Sequence, residues 1–389
     1  AGFIRPAVVL TGDGFLRYRP SSIFVVPLTA TARSFPSHVE VDVDGPRTEL
    51  PELVGLPRPA LLLPNDEDLT YAKIALDPLS LQTAMAHIDA FDDSLARSLV
   101  LGSLWEMLRD GALAPSDFAD VLLRVIPVEE HTVVLRTILR TTKQIPSMLL
   151  ATLRWFLPEA ARPAMVDKSV NVIRTALDAA VPGSDKQQQL VVAYAALARH
   201  TDDLTRLQGI LDGSVVVPGL SVDQDLRWAL LTQIAASGGA SEDDIAAELD
   251  RDPSLAGREQ ALKARAAIPT AQAKTAAWAL AIEQDTQTNA ALEAIGAGFR
   301  RCDDPALLRP FVESYLDMLE PVFADRSYAI AERCVKYFYP LDIADAALRD
   351  RTRAWLADHE DAPAGLRRLV IEQLAVVETA VAIQEREGS

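Results

Sequence analysis

Cysteine is nearly absent from these 389 residues: Cys302 and Cys334 are the two present. Two thiols cannot form a disulfide framework for a chain of this length, which suits a reducing, cytoplasmic setting. Both are expected to be buried in helices, packed like small hydrophobes. Histidine is scarce too, and the five (His38, His87, His131, His200, His359) never come closer than 44 residues. No His-x-x-x-His helix can therefore hold zinc. His359-Glu360 begins like such a motif, but Pro363 stands where the second His belongs. With so few Cys and His, no local zinc finger can be drawn. No apolar run reaches about 18 residues, so no membrane span is expected. No charged stretch leads into an apolar one at the start, so no signal peptide is visible. Position 1 is Ala rather than Met: either the Met is removed or the chain is a piece of something longer. Against 55 Asp+Glu stand 38 Lys+Arg, a net charge of −17 with no basic stripe, which argues against a nucleic-acid partner.

Familiar catalytic and ligand motifs are missing as well. There is no Gly-Lys-Ser/Thr phosphate loop and no Gly-x-Ser-x-Gly elbow. Gly296-Ala297-Gly298 follows no strand, so it is no dinucleotide fingerprint. Glu40-x-Asp42-x-Asp44-Gly45 mimics the start of a calcium loop, but Pro51 occupies the position of the bidentate Glu. That segment reads as a solvated strand face.

What is present is apolar material, 49 % of the chain, enough for two or three domains at about 150 residues each. The pattern changes near residue 70. Before it, Phe24–Val26 is a short run ended by Pro27, and Val39, Val41 and Val43 alternate with acids before Asp44-Gly45-Pro46 turns the chain. Leu61–Leu63 is another short run, and nine prolines in the first 64 residues disfavour helix. Residues 1–66 are expected to form a small β-sandwich.

Residues 67–389 read as helix. Asp77-Pro78 is a cap followed by Pro at the first helical position, with Leu79, Met85 and Ile88 on one face. Asp92 is expected to open a second helix with Leu95, Leu99, Leu104 and Leu108 inward and Gly111 past its end. Ser116, Asp202, Ser241 and Asp304 look like further starts, and Ser241 with Asp244 forms a capping box with Asp in place of Glu. About sixteen short amphipathic helices without a strict period predict a mainly α, HEAT-like α-solenoid with a concave functional face. Alanines such as Ala264, Ala266, Ala267, Ala276, Ala277, Ala279 and Ala281 would let its helices approach closely.

Three stretches carry a resemblance. They are Leu63-Pro-Asn-Asp-Glu-Asp68-Leu-Thr-Tyr71-Ala-Lys73; Asp223-Gln-Asp-Leu226-Arg227-Trp228; and Glu248-Leu-Asp-Arg251-Asp252-Pro253-Ser-Leu-Ala-Gly257-Arg258, with Ala264-Arg265-Ala266-Ala267-Ile-Pro269 behind it. Over residues 37–385 the chain resembles the C-terminal half of the actinobacterial aminopeptidase N group. This is a gluzincin zinc aminopeptidase family that includes relatives in the endoplasmic reticulum. The resemblance implies that a small β-sandwich and a helical domain follow a catalytic domain with zinc, which this chain does not contain. This chain alone should then be inactive, and its partners would be the catalytic domain of the same polypeptide and peptide substrates. The helical part would form and gate the substrate chamber, with its acidity favouring basic peptides weakly. Candidate substrate contacts are Arg227, Trp228, Arg326, Lys336 and Tyr339; the plain alternative is that Trp228 is core and that the cations pair with nearby acids. A stand-alone HEAT-like protein-binding scaffold is the competing reading.

Overall fold

The computed structural model describes residues 7–8, 26–27, 57–63, 68, 73–140, 147–301 and 304–387. Among them the chain is mainly helical, with seventeen α-helices. The described part of the expected β-sandwich holds one short antiparallel ladder, β1 (Ala7–Val8) with β2 (Val26–Pro27). Residues 57–63, which include the Leu61–Leu63 run, are described and form no strand; the remainder of that expectation, the Glu40–Gly45 loop and the 66/67 boundary lie outside the described residues, as does Cys302. The chain divides into two compact units, 1–134 and 135–389.

In the first unit, α1 (Pro78–His87) starts where Asp77 accepts from the Leu79 and Ser80 amides, behind Pro78. Its buried face is Ser80, Ala84 and Ile88, not the expected Leu79 and Met85. Ser80 accepts the Leu62 amide at 2.9 Å, so the 57–63 segment turns that face inward and leaves Leu79 exposed. The start of α2 (Ser94–Arg109) is set by Asp93, one residue after the expected Asp92. Leu104 and Leu108 are fully buried, whereas Leu95 is exposed. Gly111 at φ 69° ends the helix in a left-handed turn that lets the Ala112 amide reach back to Met107 O at 2.8 Å. In α3 (Pro115–Val128), Pro115 takes the first position ahead of the expected Ser116. Arg97 on α2 and Glu129 after α3 form a buried pair at 2.5 Å.

After α4 (Thr132–Leu139), the second unit has a regular order. The odd-numbered helices are α7 (Asp185–Leu197), α9 (Gln224–Ala236), α11 (Leu255–Ala267), α13 (Asn289–Phe299), α15 (Tyr328–Phe338) and α17 (Ala364–Glu387), and each packs on the next. The even-numbered helices are α6 (Arg162–Ala179), α8 (Thr201–Asp212), α10 (Glu242–Arg251), α12 (Ala271–Trp278), α14 (Phe311–Asp325) and α16 (Ala346–Asp358). Each packs against the odd helix that follows it in sequence, so the unit has two layers. The caps are local: Ser241 and Asp244 make the expected capping box of α10, Asp223 caps α9 and Ser254 caps α11. His200 precedes α8, which begins before the expected Asp202, and Asp304 caps only a short 3₁₀ turn.

Small residues set the spacing. Ala261, Ala264 and Ala267 are fully buried on α11, whereas Ala276 is exposed. Gly296 and Gly298 face neighbouring helices: a Cβ on Gly298 would lie 2.0 Å from Lys263 O, and one on Gly296 2.5 Å from Tyr337 Cβ. The glycine pair that fails as a nucleotide motif is thus where α13 meets α11 and α15. Between the layers, Trp278, Phe299, Phe311 and Phe338 pack with ring centroids 5.0–6.1 Å apart. Buried Cys334 lies in the same core. Lys274 is buried there as well, and its Nζ donates to Ala266 O, Gly298 O and Arg301 O at 2.7, 3.3 and 3.4 Å. One ammonium therefore serves the C-terminal carbonyls of α11 and α13, where a cation complements the helix dipoles.

Short α5 (Met148–Ala151) runs into a π-helical segment, 152–156, closed by the Leu157 amide on Thr152 O at 2.9 Å. This segment packs on α6 and also on α17, 24 residues long at the far end of the chain. Gln384 of α17 donates to Trp155 O at 2.5 Å, and Trp155 Nε1 donates to Asp342 at 3.0 Å. Within this unit the row of odd helices returns to its start.

Candidate functional site

Beside that return lies a solvent-open cavity of about 410 Å³ in the second unit. Its lining comes from around the row: Arg154 and Trp155 from the π segment, Ala196 from α7, Glu259 and Lys263 from α11, Glu293 and Ala297 from α13, and Tyr337 from α15. Arg300, Arg301 and Asp342 join them from the loops after α13 and α15. On α11 and α13 the lining positions recur at four-residue spacing, one helical face each. Irregular π turns are common at functional sites, and here one turns Arg154 and Trp155 into the cavity.

The electrostatics are uneven. Arg301 is held by Gln233 Oε1 at 3.0 Å, Glu293 accepts from Arg333 at 3.3 Å, and Asp342 accepts from Trp155. Lys263 and Arg300 have no side-chain hydrogen bond or ion pair among the described residues, and the Arg300 Nε is buried with no partner. Burial, with help from the charge of Arg301, pushes the Lys263 ammonium down to about 8. Burial likewise holds Arg300 below the usual guanidinium range, partly offset by Asp342. A second hollow, about 400 Å³, lies beside α11 and α12 and is lined mostly by apolar groups such as Leu262, Ala273, Leu280 and Ile295. Among the described residues no three His, Cys, Asp or Glu are grouped as a metal ion requires, and no helix is long and apolar enough to cross a membrane.

None of the five expected contact residues lines the larger cavity. Arg227 on α9 grips Glu248 on α10 through two bonds, 2.7 and 2.6 Å, and donates to Leu211 O at 2.9 Å. Trp228 is 1 % exposed and donates to Asp252 at 2.9 Å. Gly257 lies so close to Asp252 that a Cβ would be 2.0 Å from its carbonyl oxygen. The motif residues Asp223, Arg227, Trp228, Glu248, Asp252 and Gly257 thus form one corner joining α9, α10 and α11. Arg326 donates to Ala281 O at 2.9 Å and to Ile282 O, closing the end of the second π segment, 279–283. Lys336 pairs with Glu332 at 2.8 Å, and buried Tyr339 bonds Thr352 at 3.0 Å. Glu259, Lys263, Arg300 and Arg301 do not stand out in the sequence, because charged residues at helical spacing look like a solvated face. The available signal was the change from Ala- and Gly-rich positions to charge on the same helix face.

Two comparisons bear on what this architecture is. A profile of the ERAP1-like C-terminal domain matches residues 61–379. Over 351 residues the chain is 40 % identical to aminopeptidase N from Streptomyces lividans, covering 90 % of this chain. It spans about 40 % of the length of that curated relative. Matched over most of its length, the chain belongs to the ERAP1-like C-terminal domain family, as a C-terminal domain of the aminopeptidase N type.

Proposed function

We propose that this chain is the non-catalytic C-terminal region of a zinc aminopeptidase that removes N-terminal residues from peptides in the cytoplasm. In this reading it is a HEAT-like solenoid that forms and gates the substrate chamber over a catalytic domain of the same polypeptide. The observation that carries the reading is the 351-residue match at 40 % identity to an aminopeptidase N more than twice as long. In this reading zinc would be held by the catalytic part of the longer polypeptide. Enclosing a peptide excludes water and positions it, both recognised contributions to rate. Peptide contact with Arg227, Trp228, Arg326, Lys336 or Tyr339 stays within the proposal, and each would have to give up or share a present partner to make it.

The test is aminopeptidase activity on alanine and leucine amides and on longer peptides, with zinc supplied. The chain alone should be silent. A longer polypeptide that carries the catalytic domain should change its peptide selectivity when this region is removed. Turnover by the chain alone, with bound zinc, would overturn the reading.

A further inference from the structure

The cavity lined by α7, α11, α13, α15 and the π segment holds positive charge that its own acids do not neutralise: Arg154, Lys263, Arg300 and Arg301 against Glu259, Glu293 and Asp342. Glu293 is paired with Arg333 at 3.3 Å, while Asp342 accepts from the neutral Trp155 indole at 3.0 Å, keeps its charge and partly offsets that of Arg300. The third, Glu259, lies one turn before Lys263 on α11, yet the two form no ion pair. Lys263 and Arg300 are left without bonded partners, with the Arg300 Nε fully enclosed. Burying a charge with no bonded counter-charge is unfavourable, and native proteins leave few such groups unmatched. Two independent features of the pair agree on what is missing. Three ammonium donors and a planar guanidinium fork both call for acceptor oxygens carrying negative charge. The cavity, about 410 Å³ and open to Trp155 and Tyr337, has room for a small ligand beside them.

We propose that Lys263 and Arg300 form an oxyanion site that takes the carboxylate or phosphate group of a small ligand entering this cavity. The bonds would be charge-assisted and shorter than neutral ones. The site's preference is opposite to the one that the net charge of −17 suggests for the chain as a whole. It is a binding statement about this chain alone and stands or falls apart from the peptidase reading. If both hold, the chamber would favour peptides with acidic side chains.

Calorimetric titration of the 389-residue chain at constant ionic strength tests it with three probes: inorganic phosphate, a Gly-Glu-Gly peptide capped at both ends, and its Gln counterpart. Saturable one-site binding of phosphate or of the Glu peptide, with none by the Gln peptide, is expected. Phosphate alone assigns a phosphate ligand; the Glu peptide alone assigns an acidic side chain. Lys263→Met should weaken binding by about tenfold or more, and Lys263→Arg should retain most of it. A readout that needs no variant is acylation of Lys263 by acetic anhydride, followed by peptide mass mapping. The binding probe should slow it, and chloride at equal ionic strength should not. The proposal is overturned if neither anion binds, if Lys263→Met leaves the affinity unchanged, or if chloride protects Lys263 equally well.

Discussion

Two groups of charges sit on the same few helices of the second unit and meet opposite fates. At the α9–α10–α11 corner and between the layers, every singled-out charge has a partner: Arg227 two oxygens of Glu248, Asp252 the Trp228 indole, Lys274 three helix-end carbonyls. In the cavity, Lys263, eleven positions before Lys274, has none among the described residues. The contrast separates two reasons for keeping a half-buried charge. A partnered one fixes how helices meet. An unpartnered one is a standing cost to the fold, of the kind retained where a ligand supplies what is missing.

Changes on the partnered side should have the largest effects. Lys274→Met keeps the volume but removes the donor shared by three helix-end carbonyls, Ala266 O losing its 2.7 Å bond, so the second unit should lose about 2–4 kcal/mol. Thermal unfolding followed by circular dichroism should show the melting point fall by about 10 °C. Arg227→Met leaves a Glu248 side chain that is only 5 % exposed with Gln224 as its remaining donor and no counter-charge, at a cost of about 2–4 kcal/mol. Gly298→Ala tests the boundary between the two groups, since its Cβ would meet the Lys263 carbonyl at 2.0 Å. Parting α11 from α13 should cost about 1–3 kcal/mol and reshape the cavity, read by unfolding and by loss of the phosphate or Glu-peptide binding.

The smallest effect should have the opposite sign. Lys263 is held down to about 8 from 10.5, so between those values the unfolded chain binds more protons and stability rises with pH. Below about 8 the full penalty is present. Lys263→Met should therefore stabilise the chain by about 1–2 kcal/mol at pH 7, and the advantage should shrink as pH rises toward 10.5. Urea midpoints at pH 7 and above 9 would show whether it does.

Much of the fold was legible because its signals are local. Asp77-Pro78, Ser241 with Asp244, and Gly111 act within one turn of themselves, and each stands where its cap chemistry puts it. Which leucine faced inward on α1 was not legible, since that depends on Ser80 meeting Leu62 from outside the helix. The resemblance motif marked the right family, but its sequence does not show that Arg227 meets Glu248 and Trp228 meets Asp252, partners that lie more than 20 residues on. The cavity was illegible for a related reason. Its lining is gathered from segments as distant as Arg154 and Asp342, and a lysine without a partner looks in sequence like any solvated lysine.

The most direct test sets Arg227→Met beside Lys263→Met in one melting experiment at pH 7. Each removes one positive charge and leaves an apolar side chain in its place. The account predicts opposite shifts: Arg227→Met melts lower than the parent chain, and Lys263→Met melts higher. If both melt lower by similar amounts, Lys263 is a structural cation like Arg227, and the distinction between corner and cavity is contradicted.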